Sequence, residues 1–376
     1  MKIIVLGGGM VGRVMAHDLS ADFNITCADF STEVLKQLNS RYGLKTLACD
    51  FSKADEIRKA VKDFDLVIGA VPGRLGFNML KTVIEEGKNI VDISFFPEDA
   101  FLLNELSVKN NVTAMVDCGV APGYCNMMAG YYYARMRMDF YSCLVGGLPV
   151  NRIPPFEYKA PFSPADVIEE YVRPARMKVN GNIIVKDALS EIELLGFSEC
   201  GTLEAFNTDG LRSLLVTMPD VKTLKEKTLR YPGHAALMKI FRDSGFFSQE
   251  KIQTSDGQVA PLRVTSKLLF DQWKYKEGEE DFTIMQVMIR GEQDGINKEF
   301  SCTMFDRYHK PTATMSMART TGYTCTAAAR LLIEKKFNRK GICPPEYVGE
   351  NEACFKFVTD YLLKKEISIR FDEKTF

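Results

Sequence analysis

Short apolar runs alternate with amphipathic stretches through the first third of the chain. Six runs have the length and composition of buried strands: Lys2–Leu6, Asn24–Ala28, Lys45–Cys49, Asp65–Val71, Asn89–Ser94 and Val112–Cys118. Between them apolar positions recur at helical spacing, as with Val11, Val14, Met15 and Leu19, then Ile57, Ala60 and Val61. Ser31 and Ser52 stand where N-caps belong, and Ser52-x-x-Asp55 reads as a capping box. Strands alternating with helices in this way predict an α/β domain, a doubly wound parallel sheet with right-handed crossovers. Ligands of such sheets bind beyond the carboxyl ends of the strands.

After about Leu144 the pattern changes. Phe140–Gly147, Leu203–Asn207, Glu226–Arg230, Phe282–Arg290 and Glu299–Phe305 read as strands, whereas Asp209–Met218, Pro232–Asp243 and Pro261–Trp273 read as helices. This predicts an α+β domain with a mainly antiparallel sheet. The polar segment Gln249–Gln258 is expected to be a surface loop. A long helical pattern over Met317–Lys336, followed by Pro344-Pro345, is of the kind that packs back onto a first domain. The expected organisation is a Rossmann domain over 1–122 rejoined by 311–345, a second domain over 123–310, and a C-terminal extension over 346–376.

Composition narrows the class. The chain has 376 residues, 46% hydrophobic and 26% charged, which suits a two-domain globular protein. A formal net charge of −1 implies no nucleic-acid partner. No apolar run approaches the roughly 18 residues of a spanning helix, and the six-residue run at the N-terminus is too short for an export signal. A cytoplasmic location and no membrane partner are therefore expected. The ten cysteines form no C-x-x-C pair and read as reduced thiols. With three histidines, at 17, 234 and 309, no metal site is expected.

The first strand runs directly into Gly7-Gly8-Gly9-Met10-Val11-Gly12, a G-x-G-x-x-G loop that opens a helix. Gly7 allows a tight turn, Gly9 close backbone approach to a pyrophosphate, and Gly12 close helix–strand packing. Amides at the helix start, among them those of Met10 and Val11, attract phosphate. Asp29, 17 residues past Gly12, ends the second strand where a carboxylate can bind ribose hydroxyls. The following Phe30-Ser31-Thr32 supplies no cation for a 2′-phosphate, so the pattern favours NAD over NADP. By their places at strand ends, Asp50 is expected near the adenine, and Val71, Pro72 and Gly73 along the pyrophosphate and nicotinamide ribose.

Several segments further on resemble one family. Asp117-Cys-Gly-Val-Ala-Pro-Gly123, Gly146-Gly-Leu-Pro149, Leu203–Arg212, Lys227–His234, Met317–Tyr323 and Gly341–Glu346 are similar to the saccharopine dehydrogenase-like family, and most of all to its short lysine 6-dehydrogenases. The resemblance implies a first domain that binds a nicotinamide cofactor, and a second that binds a small amino-acid substrate and forms a homodimer. It also implies NAD-dependent oxidation of the side-chain amine of L-lysine to 2-aminoadipate 6-semialdehyde and ammonia. The alternatives are a saccharopine dehydrogenase or reductase acting on a secondary amine, for which Arg173 and Arg176 are available, and a non-catalytic NAD-binding protein.

Amine oxidation requires a base for the ammonium, a C–H held against nicotinamide, and water for the imine. Arg230 and Arg212 are the candidates to fork the substrate carboxylate, with an ion pair as the alternative for each. His234 follows Gly233 at a predicted helix start, where the dipole favours the neutral, proton-accepting imidazole; a structural histidine is the alternative. Asp117 closes the sixth strand and could pair with the ammonium or hold the water, or else brace the loop from Gly119 to Gly123. Gly119 would let the backbone pass close to the nicotinamide ring. Asp209 and Glu204 could hold the far ammonium of the substrate.

Overall fold

The computed structural model describes residues 1–160 and 164–376. They divide into two compact units, Met1–Arg135 with Ala318–Ile367, and Met136–Met317 with Ser368–Phe376. The helix Tyr124–Tyr133 and most of the last thirty residues thus belong to the first unit.

In that unit β1 (Lys2–Leu6), β2 (Asn24–Asp29), β3 (Lys45–Ala48), β4 (Leu66–Gly69), β5 (Asn89–Asp92) and β6 (Thr113–Met115) form an all-parallel sheet. Gly341–Cys343 adds a seventh parallel strand beside β6. The spatial order, reading from that strand, is β6-β5-β4-β1-β2-β3. The chain winds outward from β1 to β3, then returns beside β1 at β4, so the switch point lies between β1 and β4. Ile3, Ile4, Val5 and Leu6 are all fully buried, which is why β1 is an unbroken apolar run.

Four helices complete the crossovers near the switch point: α1 (Gly12–Ser20), α2 (Thr32–Tyr42), α3 (Ala54–Val61) and α4 (Gly73–Glu85). Ser31 caps α2, its Oγ accepting the Val34 amide at 3.3 Å. Ser52 does not cap α3. Its hydroxyl and its amide both donate to the Asp50 carboxylate, at 2.6 and 3.0 Å, and the cap position passes to Lys53. An ionised acceptor two residues back competes better for the hydroxyl than a helix amide does. In the C-terminal part of the unit, Tyr124 and Tyr131 stack on Phe355 of the helix Glu352–Lys364, and the Tyr124 hydroxyl meets Thr359 at 2.9 Å.

The second unit is built on a mixed, mostly antiparallel sheet. Its strands lie in the order Glu193–Phe197, Gly201–Asn207, Thr223–Arg230, Arg137–Pro149, Asp281–Gln293, Ile296–Arg307, Ser368–Thr375, and the hairpin Ala175–Val179/Asn182–Lys186 branches from Thr223–Arg230. Its one parallel pairing among the described residues joins Thr223–Arg230 to Arg137–Pro149. The helix expected over Asp209–Met218 shrinks to Leu214–Thr217. Asp209 binds Arg176 instead of its own helix amides, the Gly210 amide goes to Glu226 at 3.1 Å, and Arg212 takes a left-handed φ of 52°. Instead of a loop over Gln249–Gln258, the chain forms a small hairpin there that runs on to Val259, Ile252–Thr254 with Gly257–Val259. Among the described residues no helix is long and apolar enough to cross a membrane.

Candidate active site

The glycine loop of the first unit has the geometry of a phosphate cradle. Gly7, at φ 108°, donates to Ala28 O at 2.9 Å and turns the chain from β1 toward α1. A Cβ on Gly12 would lie 1.9 Å from Gly7 O, so only glycine permits this approach of helix to strand. Gly9 is different: a Cβ there would meet nothing within 4 Å. Protein packing therefore leaves open space beside Gly9, as the approach of a pyrophosphate requires. The first helical bond is Arg13 N to Gly9 O at 3.0 Å, so Met10, Val11 and Gly12 contribute helix-start amides there.

Asp29 braces the same loop. Its Oδ2 accepts the Gly8 amide at 2.7 Å and its Oδ1 the Ser31 amide at 2.8 Å. Each carboxylate oxygen keeps a second lone pair for a ribose hydroxyl. Val71 is buried, Pro72 is exposed as the residue before α4, and Gly73 opens that helix. Asp50 is half-exposed and engaged by Ser52 and Lys53, the Lys53 Nζ at 3.3 Å. The residues present fit a dinucleotide.

Beyond β6, Asp117 is buried at a left-handed φ of 54°, which Asp tolerates better than most residues. The loop that follows closes on itself: Tyr124 N reaches Gly119 O at 3.0 Å and Cys125 N reaches Val120 O at 3.1 Å. A Cβ on Gly123 would sit 1.8 Å from Gly119 O, and one on Gly119 would meet Pro122 O at 3.0 Å. Asp92, at one of the strand ends, is not among the site residues expected from the sequence. It is fully buried at the end of β5, with Oδ1 accepting the Ser94 amide and hydroxyl at 3.1 and 2.7 Å and Oδ2 unpartnered. Burial pushes it up to about 7 against those hydrogen bonds, and the charge of Asp117 adds to the rise. An acid closing an apolar strand, two residues before a Ser, was the available signal.

In the second unit a polar cluster lies inside the aromatic core. Arg230, last residue of its strand, is 3% exposed and pairs through Nη2 with Glu170 Oε2 at 2.9 Å. Its guanidinium lies 4.6 Å from the Tyr158 ring centroid. Burial works against its charge, but Tyr158, Tyr171 and Glu170 more than offset this and the group stays protonated. His234 is buried with both ring nitrogens in use, Nδ1 meeting Phe156 O at 3.0 Å and Nε2 the Tyr171 hydroxyl at 2.9 Å. A carbonyl can only accept, so Nδ1 carries the proton and Nε2 accepts from Tyr171. Burial first, and the Arg230 charge second, push the imidazole down to about 3. Burial and the Arg230 charge, not the helix start, keep the ring neutral, and a ring so held has no nitrogen open to a substrate proton.

The remaining candidates lie close by but are engaged. Asp209 binds Arg176 at 2.9 Å through each carboxylate oxygen. Glu204 accepts the amides of Gly233 and Ala235, at 2.8 and 2.5 Å, and so caps the helix His234–Asp243. Arg212 is half-buried in the loop around Glu226. Among the described residues no cluster of His, Cys, Asp or Glu could hold a metal.

A dinucleotide cradle on a doubly wound sheet, joined in one chain to an α+β unit with a buried guanidinium, defines the two-part plan of a nicotinamide-dependent oxidoreductase. Comparison with known proteins gives the family. Residues 3–115 match the model of the saccharopine dehydrogenase NADP binding domain, and residues 119–367 that of the saccharopine dehydrogenase C-terminal domain. The chain belongs to the saccharopine dehydrogenase family.

The chain is 25% identical over 277 residues to the mitochondrial alpha-aminoadipic semialdehyde synthase of Mus musculus, a match that covers 69% of this chain but only 30% of the mouse protein. It is 22% identical to the saccharopine dehydrogenase [NADP(+), L-glutamate-forming] of Schizosaccharomyces pombe, over 99% of this chain and 98% of the relative. The structure of apo saccharopine dehydrogenase (L-Glu forming) from Saccharomyces cerevisiae superposes with a TM-score of 0.80 at 20% identity, covering 100% of this chain and 99% of that one, which establishes the shared fold.

Proposed function

We propose that the chain is an NAD-dependent dehydrogenase that oxidises the side-chain amine of L-lysine to 2-aminoadipate 6-semialdehyde and ammonia. The observation that carries this reading is the state of the cations in the second unit. A secondary-amine substrate with a second dicarboxylic part needs several cations. Arg176 is held by Asp209, Lys159 by Glu279 at 2.7 Å, and Arg173 lies 3.8 Å from Glu169. Arg230 is held too, but by one oxygen of Glu170 and with its Nε unpartnered, which leaves room for one substrate carboxylate.

The bound nicotinamide would accept the hydride. Gly9 through Gly12 would hold its pyrophosphate and Asp29 the adenosine ribose, whose carboxylate disfavours a 2′-phosphate; hence NAD, although the matching family model is named for NADP. Arg230 would anchor the substrate carboxylate. Asp117 would take the ammonium proton and then hold the water that attacks the imine, with Gly119 keeping the loop backbone close. His234 would position Tyr171 and the guanidinium rather than titrate.

A second reading, saccharopine oxidation, is supported by the full-length likeness to the S. pombe relative. The test is the near-ultraviolet absorbance of reduced nicotinamide, with NAD or NADP and a panel of amines. Growth with L-lysine and NAD supports the proposal. Growth with saccharopine alone replaces it with the second reading, and cofactor binding without turnover of any amine removes both.

A further inference from the structure

Resting on that reading, we propose that Glu170 is a built-in stand-in for the substrate carboxylate, holding Arg230 until a ligand carboxylate displaces it. A guanidinium has five N–H donors. Here Nη2 serves Glu170 at 2.9 Å, Nη1 serves the carbonyl of its own neighbour Leu229 at 2.9 Å, and Nε serves no acceptor. The contact with Glu170 is through one oxygen, where a free carboxylate would meet the fork with two.

Two more donors in the same cluster are buried without an acceptor: the Tyr158 hydroxyl and the Trp273 indole N–H. The Tyr158 ring lies under the guanidinium and 5.3 Å, edge-on, from Trp273. Native interiors leave few polar groups unpaired, and here three donors share one neighbourhood. Such a surplus of donors is matched by an oxygen anion, which accepts at up to about four positions. Tyr158 and Phe156 also help line a cleft of about 320 Å³ with Pro149, Ile153, Lys159 and Glu279, so the cluster borders that cleft through Tyr158. The ligand class that fits is the carboxylate end of an amino acid, and Glu170 sets how tightly it must bind.

The chain has one tryptophan, Trp273, so its fluorescence reports on this cluster without need of turnover. L-Lysine is expected to change the emission saturably, whereas 1,5-diaminopentane, which lacks the carboxylate, is not. Glu170→Gln, which leaves the guanidinium without an anionic partner, should lower the half-saturating lysine concentration about tenfold, and Arg230→Lys should raise it about a hundredfold. Glu170→Asp, a shorter carboxylate, should shift it the same way as Glu170→Gln and serves if that variant does not fold. The proposal is overturned if lysine leaves the emission unchanged, if the diamine acts like lysine, or if both Glu170 variants bind lysine no more tightly. Turnover of lysine without a Trp273 response removes this inference alone. A Trp273 response without turnover of any amine removes the proposed reaction and keeps the carboxylate site.

Discussion

Arg230 and His234 lie four residues apart in one cluster where burial works against the charge of both, yet they end in opposite protonation states. The guanidinium keeps its proton because Glu170 and two phenols surround it, whereas the imidazole, facing that same positive charge, stays neutral. In the proposed reaction a carboxylate, not the histidine, is therefore assigned the proton. Asp117→Asn is expected to lower kcat by a factor on the order of 10² to 10⁴, with the NAD dissociation constant, measured by calorimetry, changing far less. At the other end of the cofactor site, Asp29→Asn removes the charge that disfavours a 2′-phosphate but keeps one side-chain acceptor. The ratio of kcat/KM for NADP over NAD should rise roughly tenfold or more. An unchanged ratio in steady-state kinetics would separate Asp29 from cofactor choice.

At the scale of elements, the loops show which local signals tertiary contacts override. Ser31 caps α2 as its position suggests, but Ser52 is drawn to Asp50. The cap of the helix His234–Asp243 is supplied from another strand, by Glu204, 29 residues before Gly233. Glu204→Ala should therefore destabilise the second unit by about 1–2 kcal/mol in urea unfolding. Glu204→Gln should recover part of the loss, since the amide oxygen still accepts one N–H. Equal effects of the two substitutions would argue against the cap. For α1, the 1.9 Å approach at Gly12 predicts that Gly12→Ala costs about 1–3 kcal/mol and weakens NAD binding, read by thermal melting and calorimetry.

For the whole molecule, buried acids set the dependence of stability on pH. Burial pushes Asp92 and Glu226 up to about 7 and Asp281 up to about 6. Between the ordinary carboxylate range and these values the folded chain binds more protons than the unfolded one, so their contribution is fully present at low pH and falls as pH rises through 6 to 7. His234 acts in the other sense. Pushed down to about 3, it favours the folded state above the ordinary imidazole value, and that contribution is lost as pH falls from there toward 3. Three acids outnumber one imidazole, so these groups together should lower the melting temperature between pH 5 and 7. Asp92→Asn should flatten the fall; a slope identical to that of the native chain would show that Asp92 is ionised throughout.

Much of the first unit was legible because its signals are local. A strand, a glycine loop, a helix and an acid follow one another within thirty residues, and each is tied to the next by backbone geometry. Apolar runs located all six leading strands, and the motifs of the second unit pointed to its family. The seventh parallel strand, Gly341–Cys343, was not legible, because three residues carry no periodicity and their pairing with β6 comes from the far end of the chain. Nor could the sequence show that His234 has no open nitrogen, that Asp209 is taken by Arg176, or that Glu170 faces Arg230 across sixty residues. The order of apolar and polar residues determined the six leading strands of the first unit and where a dinucleotide can rest. Which charges face one another inside the second unit was decided by strand pairing and core packing, since electrostatic partners depend on distance in space and the sequence specifies only distance along the chain.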